Sequence, residues 1–178
     1  MHRYMPNAGF DQTRNFVADE LKKETGLEFE AEDTVMCSGA GGGLNVVMKA
    51  LLDAGDEVLT PSPFFVEYLF YAENHGGKTV IVPTHENFSL NFDTLREVLS
   101  PKTKAVIINS PNNPTGVIYP KKMLEKLASI LQQHTSDTGN PVYLISDDPY
   151  KKIVFDGVET SNILELYENS IYITSHSK

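Results

Sequence analysis

Between residues 105 and 116 the chain reads Ala105-Val106-Ile107-Ile108-Asn109-Ser110-Pro111-Asn112-Asn113-Pro114-Thr115-Gly116. The first part of this stretch is a continuous apolar run, which predicts a short strand buried on both faces. The second part consists of residue types that favour turns, so the strand should end in a loop. A strand buried on both faces indicates a parallel sheet that is covered by helices.

Outward from this strand, strand-like and helical segments alternate along the chain. We predict further strands at residues 34–37, 57–60, 79–82, 142–146 and 171–174. We predict helices at residues 11–25, 44–52, 64–74, 92–99 and 120–133, with Asp11 as the N-cap of the first. The alternation predicts an α/β fold with three layers, α/β/α, around a mainly parallel sheet.

Five distinctive loops each follow a predicted strand. They comprise residues 38–43, 61–65, 110–116, 147–150 and 175–178. The carboxyl ends of parallel strands meet at one edge of a sheet, and ligands of such sheets bind outside that edge. The sequence therefore predicts one shared site built from these five loops.

Three of these loops, taken in order, closely resemble a known signature series. They read Ser110-Pro111-Asn112-Asn113-Pro114-Thr115-Gly116, then Asp147-Asp148-Pro149-Tyr150, then Ser175-His176-Ser177-Lys178. The series is similar to that of fold-type I, pyridoxal-phosphate-dependent aminotransferases of class I/II, and the resemblance runs from about Tyr4 to Lys178. It implies pyridoxal 5′-phosphate as cofactor and transfer of an amino group from an amino acid to a 2-oxo acid. Aspartate and aromatic amino acids are the substrates to try first.

The resemblance also implies a division of the chain. Residues 1–30 would form an N-terminal segment and helix at a dimer interface, and residues 31–178 would form the cofactor-binding large domain. Members of this family continue beyond the lysine that matches Lys178, into a second, smaller domain. We therefore expect the large domain to be incomplete at its C-terminus, with the small domain missing.

The resemblance assigns catalytic roles to three side chains. Lys178 would form a Schiff base with the cofactor and then shuttle protons. Asp147 would pair with the pyridine nitrogen, and Tyr150, three residues later, selects Asp147 over Asp148 for this role. Tyr150 and Asn113 would hydrogen-bond the phenolic oxygen of the cofactor.

The glycine-rich loop at residues 38–43 predicts a phosphate contact, because backbone N–H groups at a helix N-terminus bind anions. The loop is not a dinucleotide fingerprint, since that would need glycine at Leu44, and no P-loop lysine follows it. The chain departs here from relatives that carry a polar side chain within the loop. We therefore expect contacts from the Ala40 and Gly41 amides only, together with the Ser175 hydroxyl that the resemblance implies.

Two aromatic residues complete the expected site. Phe65 resembles the residue that stacks on the cofactor ring. Tyr4 resembles the tyrosine that reaches the phosphate of a neighbouring subunit, which implies a homodimer with shared sites.

Composition limits the partners, metal sites and cellular compartment that can be expected. The net charge of -9 argues against nucleic acid or an anionic membrane surface as partner, and no apolar run is long enough to span a membrane. The single cysteine, Cys37, predicts no disulfide and no cysteine-rich metal site, and we expect it to be buried. The histidines outside the lysine motif lack metal-ligand spacing, so we predict no metal. A reducing cytoplasm is the expected compartment.

Three alternatives stay open. The same motifs serve eliminations such as C–S lyase chemistry, so the cofactor is better determined than the reaction. A transcription regulator with an aminotransferase-like sensor would need a basic winged helix-turn-helix, which this sequence lacks. An inactive fragment is the third alternative, because the arginines that bind the cofactor phosphate and the substrate carboxylate would lie beyond Lys178.

Overall fold

A parallel sheet of five strands forms the centre of the computed structural model, which describes residues 4–178. The strands are β1 (Glu57–Ser62), β2 (Lys78–Pro83), β3 (Thr103–Ile108), β4 (Tyr143–Asp147) and β5 (Ser170–Ile173). Their order in the sheet is β2-β1-β3-β4-β5, and every neighbouring pair is parallel. These five strands were predicted from sequence, and the α/β fold class is confirmed. Residues 1–3, which begin the predicted N-terminal segment and include His2, lie outside the described range.

Helices cover both faces of the sheet, and the central strands β3 and β4 are buried almost throughout. The helices are α1 (Asp11–Thr25), α2 (Gly39–Leu51), α3 (Glu67–Glu73), α4 (Phe92–Val98) and α5 (Lys121–Thr138). On β3, Val106 and Ile108 pack in the same apolar cluster as residues of α4 and α5, whereas Ile107 packs with residues of α2 and α3. Two separate apolar clusters therefore flank one sheet, which gives the predicted α/β/α layers.

The predicted strand at residues 34–37 does not form. The segment is extended but pairs with no strand of the sheet, and the Met36 N–H instead donates to the Ala8 carbonyl at 2.9 Å. Val35 is 56% exposed and Cys37 is also exposed, so the expectation of a buried cysteine was wrong. A short apolar run becomes a strand only when it pairs with a neighbouring strand, and residues 34–37 pair with none of the five strands of the sheet.

The predicted glycine-rich loop is helical instead. Helix α2 begins at Gly39, five residues before the predicted start at Leu44. Close packing explains this, because a Cβ on Gly43 would lie 3.3 Å from Cγ2 of Ile173 on β5. The small residues let the first turn of α2 approach the sheet, and this packing outweighs the low helix propensity of glycine.

The ends of α1 agree only partly with prediction. Phe10 holds the N-cap position and makes no side-chain cap, while Asp11 is the first helical residue. Asp11 still lies at the positive end of the helix, where a carboxylate is stabilising. Gly26 ends the helix with φ of 74°, as the helix-then-glycine pattern predicted.

Within residues 4–178, no helix combines the length and apolar character that crossing a membrane requires.

Candidate active site

A cavity of about 280 Å³ lies at the carboxyl edge of the sheet. It is lined by residues from α2, from the loops after β1, β3, β4 and β5, and from α3. Eight of the nine sequence-predicted site residues line it, and these are Ala40, Gly41, Phe65, Asn113, Asp147, Tyr150, Ser175 and Lys178. The ninth, Tyr4, is fully exposed and lies outside the cavity lining. The motifs thus meet at one place although they are distant in sequence.

Asp147, the last residue of β4, carries the most distinctive carboxylate of the cavity. Its side chain is buried, and Oδ2 accepts a hydrogen bond of 2.7 Å from the Tyr68 hydroxyl. Oδ1 is also buried but has no hydrogen-bond partner among the described residues. Burial raises the pKa of Asp147, and the Tyr68 hydrogen bond opposes this shift. A buried carboxylate oxygen without a donor is costly, so this atom is suited to a ligand that brings an N–H group.

Asn109, which the sequence reasoning missed, joins the loops after β3 and β4. Its Nδ2 donates to the Asp147 carbonyl, and its Oδ1 accepts from the Asn113 backbone N–H. One buried amide therefore fixes the relative position of two predicted site residues. The available signal was a polar residue at the carboxyl end of an otherwise apolar strand.

Aromatic side chains form one wall of the cavity. Phe65 and Tyr68 pack edge to face, with ring centroids 5.9 Å apart and an interplanar angle of 82°. Phe64 also stacks on Tyr68, with a centroid distance of 6.4 Å, and does not line the cavity. Tyr68 and Tyr71 were not predicted as site residues, although the spacing of three between Phe65, Tyr68 and Tyr71 would place them on one side of a helical segment.

The loop after β5 brings the lysine to the cavity. Ser175 Oγ donates to Ser177 Oγ at 2.9 Å and accepts from the Ser177 N–H at 3.1 Å, which closes the turn. The Lys178 Nζ lies 6.0 Å from the ring centroid of Tyr150.

No group of three or more His, Cys, Asp or Glu side chains in the described part of the chain is placed to hold a metal ion.

Asp148 does not line the cavity and is only 2% exposed. Burial raises its pKa from 3.8 to about 7, and hydrogen bonds from Ser146 and from the Ser110 N–H, together with the Lys151 charge, only partly oppose this. Moving the pKa this far costs the ionised form on the order of 4 kcal/mol, at 1.36 kcal/mol for each pKa unit. The folded protein therefore retains a proton on Asp148 over a pH range in which the unfolded chain has lost it.

This proton makes the free energy of unfolding dependent on pH. Because the folded-state pKa is raised, the contribution is fully present below about pH 4 and is lost as pH rises through about 7. Asp148→Asn should remove this loss, so the variant should gain stability relative to wild type between about pH 5 and pH 8. Urea unfolding at several pH values measures the effect, with the exposed Asp19→Asn as matched control. An unchanged pH slope in Asp148→Asn would show that Asp148 does not hold the proton.

Comparison with known proteins gives a consistent set of similarities. The family model for aminotransferase class I and II matches residues 1–178. The chain is 36% identical to a probable aspartate/prephenate aminotransferase of Thermus aquaticus, over 99% of this chain and 45% of that protein. It is also 36% identical to aromatic-amino-acid aminotransferase 2 of Thermococcus litoralis, over 98% of this chain and 45% of that protein.

Solved structures show the same relationship. An amino transferase from Eubacterium rectale superposes with a TM-score of 0.97 at 36% identity, over 99% of this chain and 45% of that chain. The aspartate aminotransferase from Thermus thermophilus with maleate superposes with a TM-score of 0.90 at 34% identity, with the same coverage. The chain thus spans about 45% of the length of these relatives.

Proposed function

Because the chain belongs to the class I and II aminotransferase family, we propose that the protein transfers an amino group from an amino acid to a 2-oxo acid with pyridoxal 5′-phosphate as its cofactor. The observation that carries the proposal is the buried, unpartnered Oδ1 of Asp147, which belongs to a cavity that also contains Lys178. Aspartate and aromatic amino acids are the proposed amino donors, since relatives bear these names.

The residues of the cavity fit this cofactor. The Asp147 carboxylate suits a protonated ring nitrogen, because a charge pair about 4 Å apart is worth on the order of 4 kcal/mol at intermediate dielectric. Ala40 and Gly41 lie in the first turn of α2, where free N–H groups and the helix dipole favour a phosphate. The Ser175 hydroxyl and the Phe65 ring line the same cavity and would hold the phosphate and the ring, respectively.

When bound, the cofactor supplies an aldehyde that takes up the amino group and a ring that withdraws electrons from the substrate Cα. In this proposal Asp147 Oδ1 would hold a proton on the ring nitrogen. Asn113 and Tyr150 would donate hydrogen bonds to the phenolic oxygen, and Lys178 Nζ would accept and return the proton of the substrate Cα. Tyr68 keeps Asp147 oriented through its hydrogen bond to Oδ2.

The proposal includes a homodimer in the cytoplasm. Residues 1–30 would contribute to the interface, and residues 31–178 would form the cofactor-binding domain. The support is the full exposure of Tyr4, joined by exposed Phe10 and Phe16 in the same segment. In such a dimer, Tyr4 would reach the phosphate bound by the partner subunit.

The test is 2-oxo-acid-dependent turnover of aspartate and of aromatic amino acids by the purified protein at its full natural length. We expect the amino donor to be consumed only when a 2-oxo acid is present. No acceptor-dependent turnover of any amino acid would overturn the proposal. Release of ammonia and a 2-oxo acid without an acceptor would indicate elimination instead of transfer.

Tyr68→Phe should shift the pH dependence of this activity. The variant loses the hydrogen bond that lowers the pKa of Asp147, so that pKa should rise further. Asp147 would then become protonated at higher pH, and the acidic limb of the kcat/KM profile should move upward. Tyr167→Phe is the matched control, because it removes a buried tyrosine hydrogen bond of 2.8 Å to the Val142 carbonyl, outside the cavity lining. Equal pH profiles for both variants would contradict the role given to Tyr68.

A further inference from the structure

The glycine-rich segment gives the cavity no polar side chain, because Ser38 lies outside the lining and the lining residues Gly39, Ala40 and Gly41 carry none. Residues 39–43 are Gly39, Ala40, Gly41, Gly42 and Gly43, so this turn of α2 offers only backbone N–H groups. A phosphate dianion has three outer oxygens that accept strong hydrogen bonds. A further donor from another element would therefore strengthen binding at this turn.

Tyr71 of α3 brings a hydroxyl to this place. A Cβ added at Gly41 would lie 2.8 Å from the Tyr71 Oη and 3.6 Å from its Cζ, so the hydroxyl stands directly over Gly41. Tyr71 lines the same cavity as Gly41, Ser175 and Lys178. Its ring packs at a tilt against Tyr68, with centroids 6.5 Å apart, which links it to the wall that supports Asp147.

On the basis of the proposed function, we propose that the Tyr71 hydroxyl is a ligand of the cofactor phosphate, in place of the polar side chain that the glycine-rich turn lacks. The hydroxyl would donate beside the Ala40 and Gly41 amides and opposite Ser175. Its phenol is suited to donate, because burial, and then the Glu67 and Asp147 charges, raise the pKa of Tyr71.

The proposal explains why residue 41 is glycine. Gly41 has no positive φ and lies within α2, so its backbone would accept any L-residue. The constraint comes from the space above it, because a Cβ at residue 41 would lie 2.8 Å from the Tyr71 Oη, so a larger residue would displace this hydroxyl. Glycine at residue 41 and tyrosine at residue 71 are thus a complementary pair.

The experiment compares the binding of pyridoxal 5′-phosphate and of pyridoxal, which lacks the phosphate, by calorimetry. Tyr71→Phe should weaken binding of the phosphorylated compound about tenfold to a hundredfold, as expected for one hydrogen bond to a charged group. Binding of pyridoxal should stay unchanged. Tyr143→Phe is the control, since Tyr143 is partly buried against the same apolar cluster but does not line the cavity.

A second variant adds a rescue. Tyr71→Phe combined with Gly41→Ser places a hydroxyl on the turn, and the added Cβ then meets only the ring carbon at an ordinary 3.6 Å. We expect this double variant to recover most of the preference for the phosphorylated compound.

If wild type binds pyridoxal 5′-phosphate and Tyr71→Phe retains the same preference, the phosphate role of Tyr71 is wrong and the proposed function stands. If wild type does not bind the compound, both are overturned. If Tyr71→Phe does not fold, Gly41→Ala decides, because its Cβ would lie 2.8 Å from the Tyr71 Oη and displace the hydroxyl. A folded Gly41→Ala that keeps the wild-type preference for the phosphorylated compound overturns the role.

Discussion

Lys178→Ala is expected to reduce amino-group transfer by about 10⁴-fold or more, because covalent catalysis and proton transfer are lost together. Among the described residues that line the cavity, Lys178 is the only one with a side-chain amine, and no histidine or arginine lies there. Asp147, the only carboxylate of the lining, is engaged by Tyr68 through one oxygen and has its other oxygen buried. No described neighbour is therefore placed to take over the role of Lys178.

Mass spectrometry gives this prediction a readout independent of turnover. Borohydride reduction in the presence of pyridoxal 5′-phosphate should fix one adduct on wild type, and the modified peptide should contain Lys178. Lys178→Ala and Lys178→Arg should show no adduct. The control is Lys152→Ala, which removes an exposed lysine outside the cavity lining and should retain both adduct and turnover. An adduct on another lysine, with turnover retained in Lys178→Ala, would refute the assignment.

The strands could be predicted because burial on both faces leaves a clear pattern. Val106 and Ile107 point to opposite layers and both are apolar, which is the mark of a central parallel strand. The two wrong predictions, the strand at residues 34–37 and the glycine-rich loop before Leu44, have a different physical origin. Residues 34–37 have the composition of a strand but lack a partner, and the first turn of α2 has glycines that favour loops but packs closely against Ile173. Both depend on tertiary contacts that local sequence does not encode.

In the cavity, too, some residues could be predicted from sequence motifs, whereas the residues that hold them in position could not. The motifs identified residues such as Asn113 and Asp147, because a recognisable string surrounds each of them. Their supports could not be predicted in this way. Tyr68 contacts Asp147 across 79 positions of sequence, and Asn109 contacts the Asp147 carbonyl across 38. Such partners become visible only when the packing of α3 and the alignment of β3 with β4 are known.

Asp147→Asn is expected to lower kcat about a thousandfold. The change keeps the shape of the side chain, and its amide can still accept the hydrogen bond from Tyr68, but it removes the negative charge beside the proposed ring nitrogen. Loss of a charge pair worth on the order of 4 kcal/mol corresponds to about three powers of ten in rate, at 1.36 kcal/mol for each. Steady-state kinetics at saturating cofactor separates this loss of kcat from weaker cofactor binding.

Asp148→Asn is the sharpest control for this experiment, because the two aspartates are adjacent and both are buried. Asp147 lines the cavity and has an unpartnered oxygen, whereas Asp148 lies outside the lining and accepts a hydrogen bond from the Ser110 N–H. Asp148→Asn should therefore alter the pH dependence of stability while keeping kcat within about tenfold of wild type. A large loss of kcat in Asp148→Asn, with near-normal kcat in Asp147→Asn, would reverse the assignment. In that case the spacing of three before Tyr150 would not identify the carboxylate that faces the ring nitrogen.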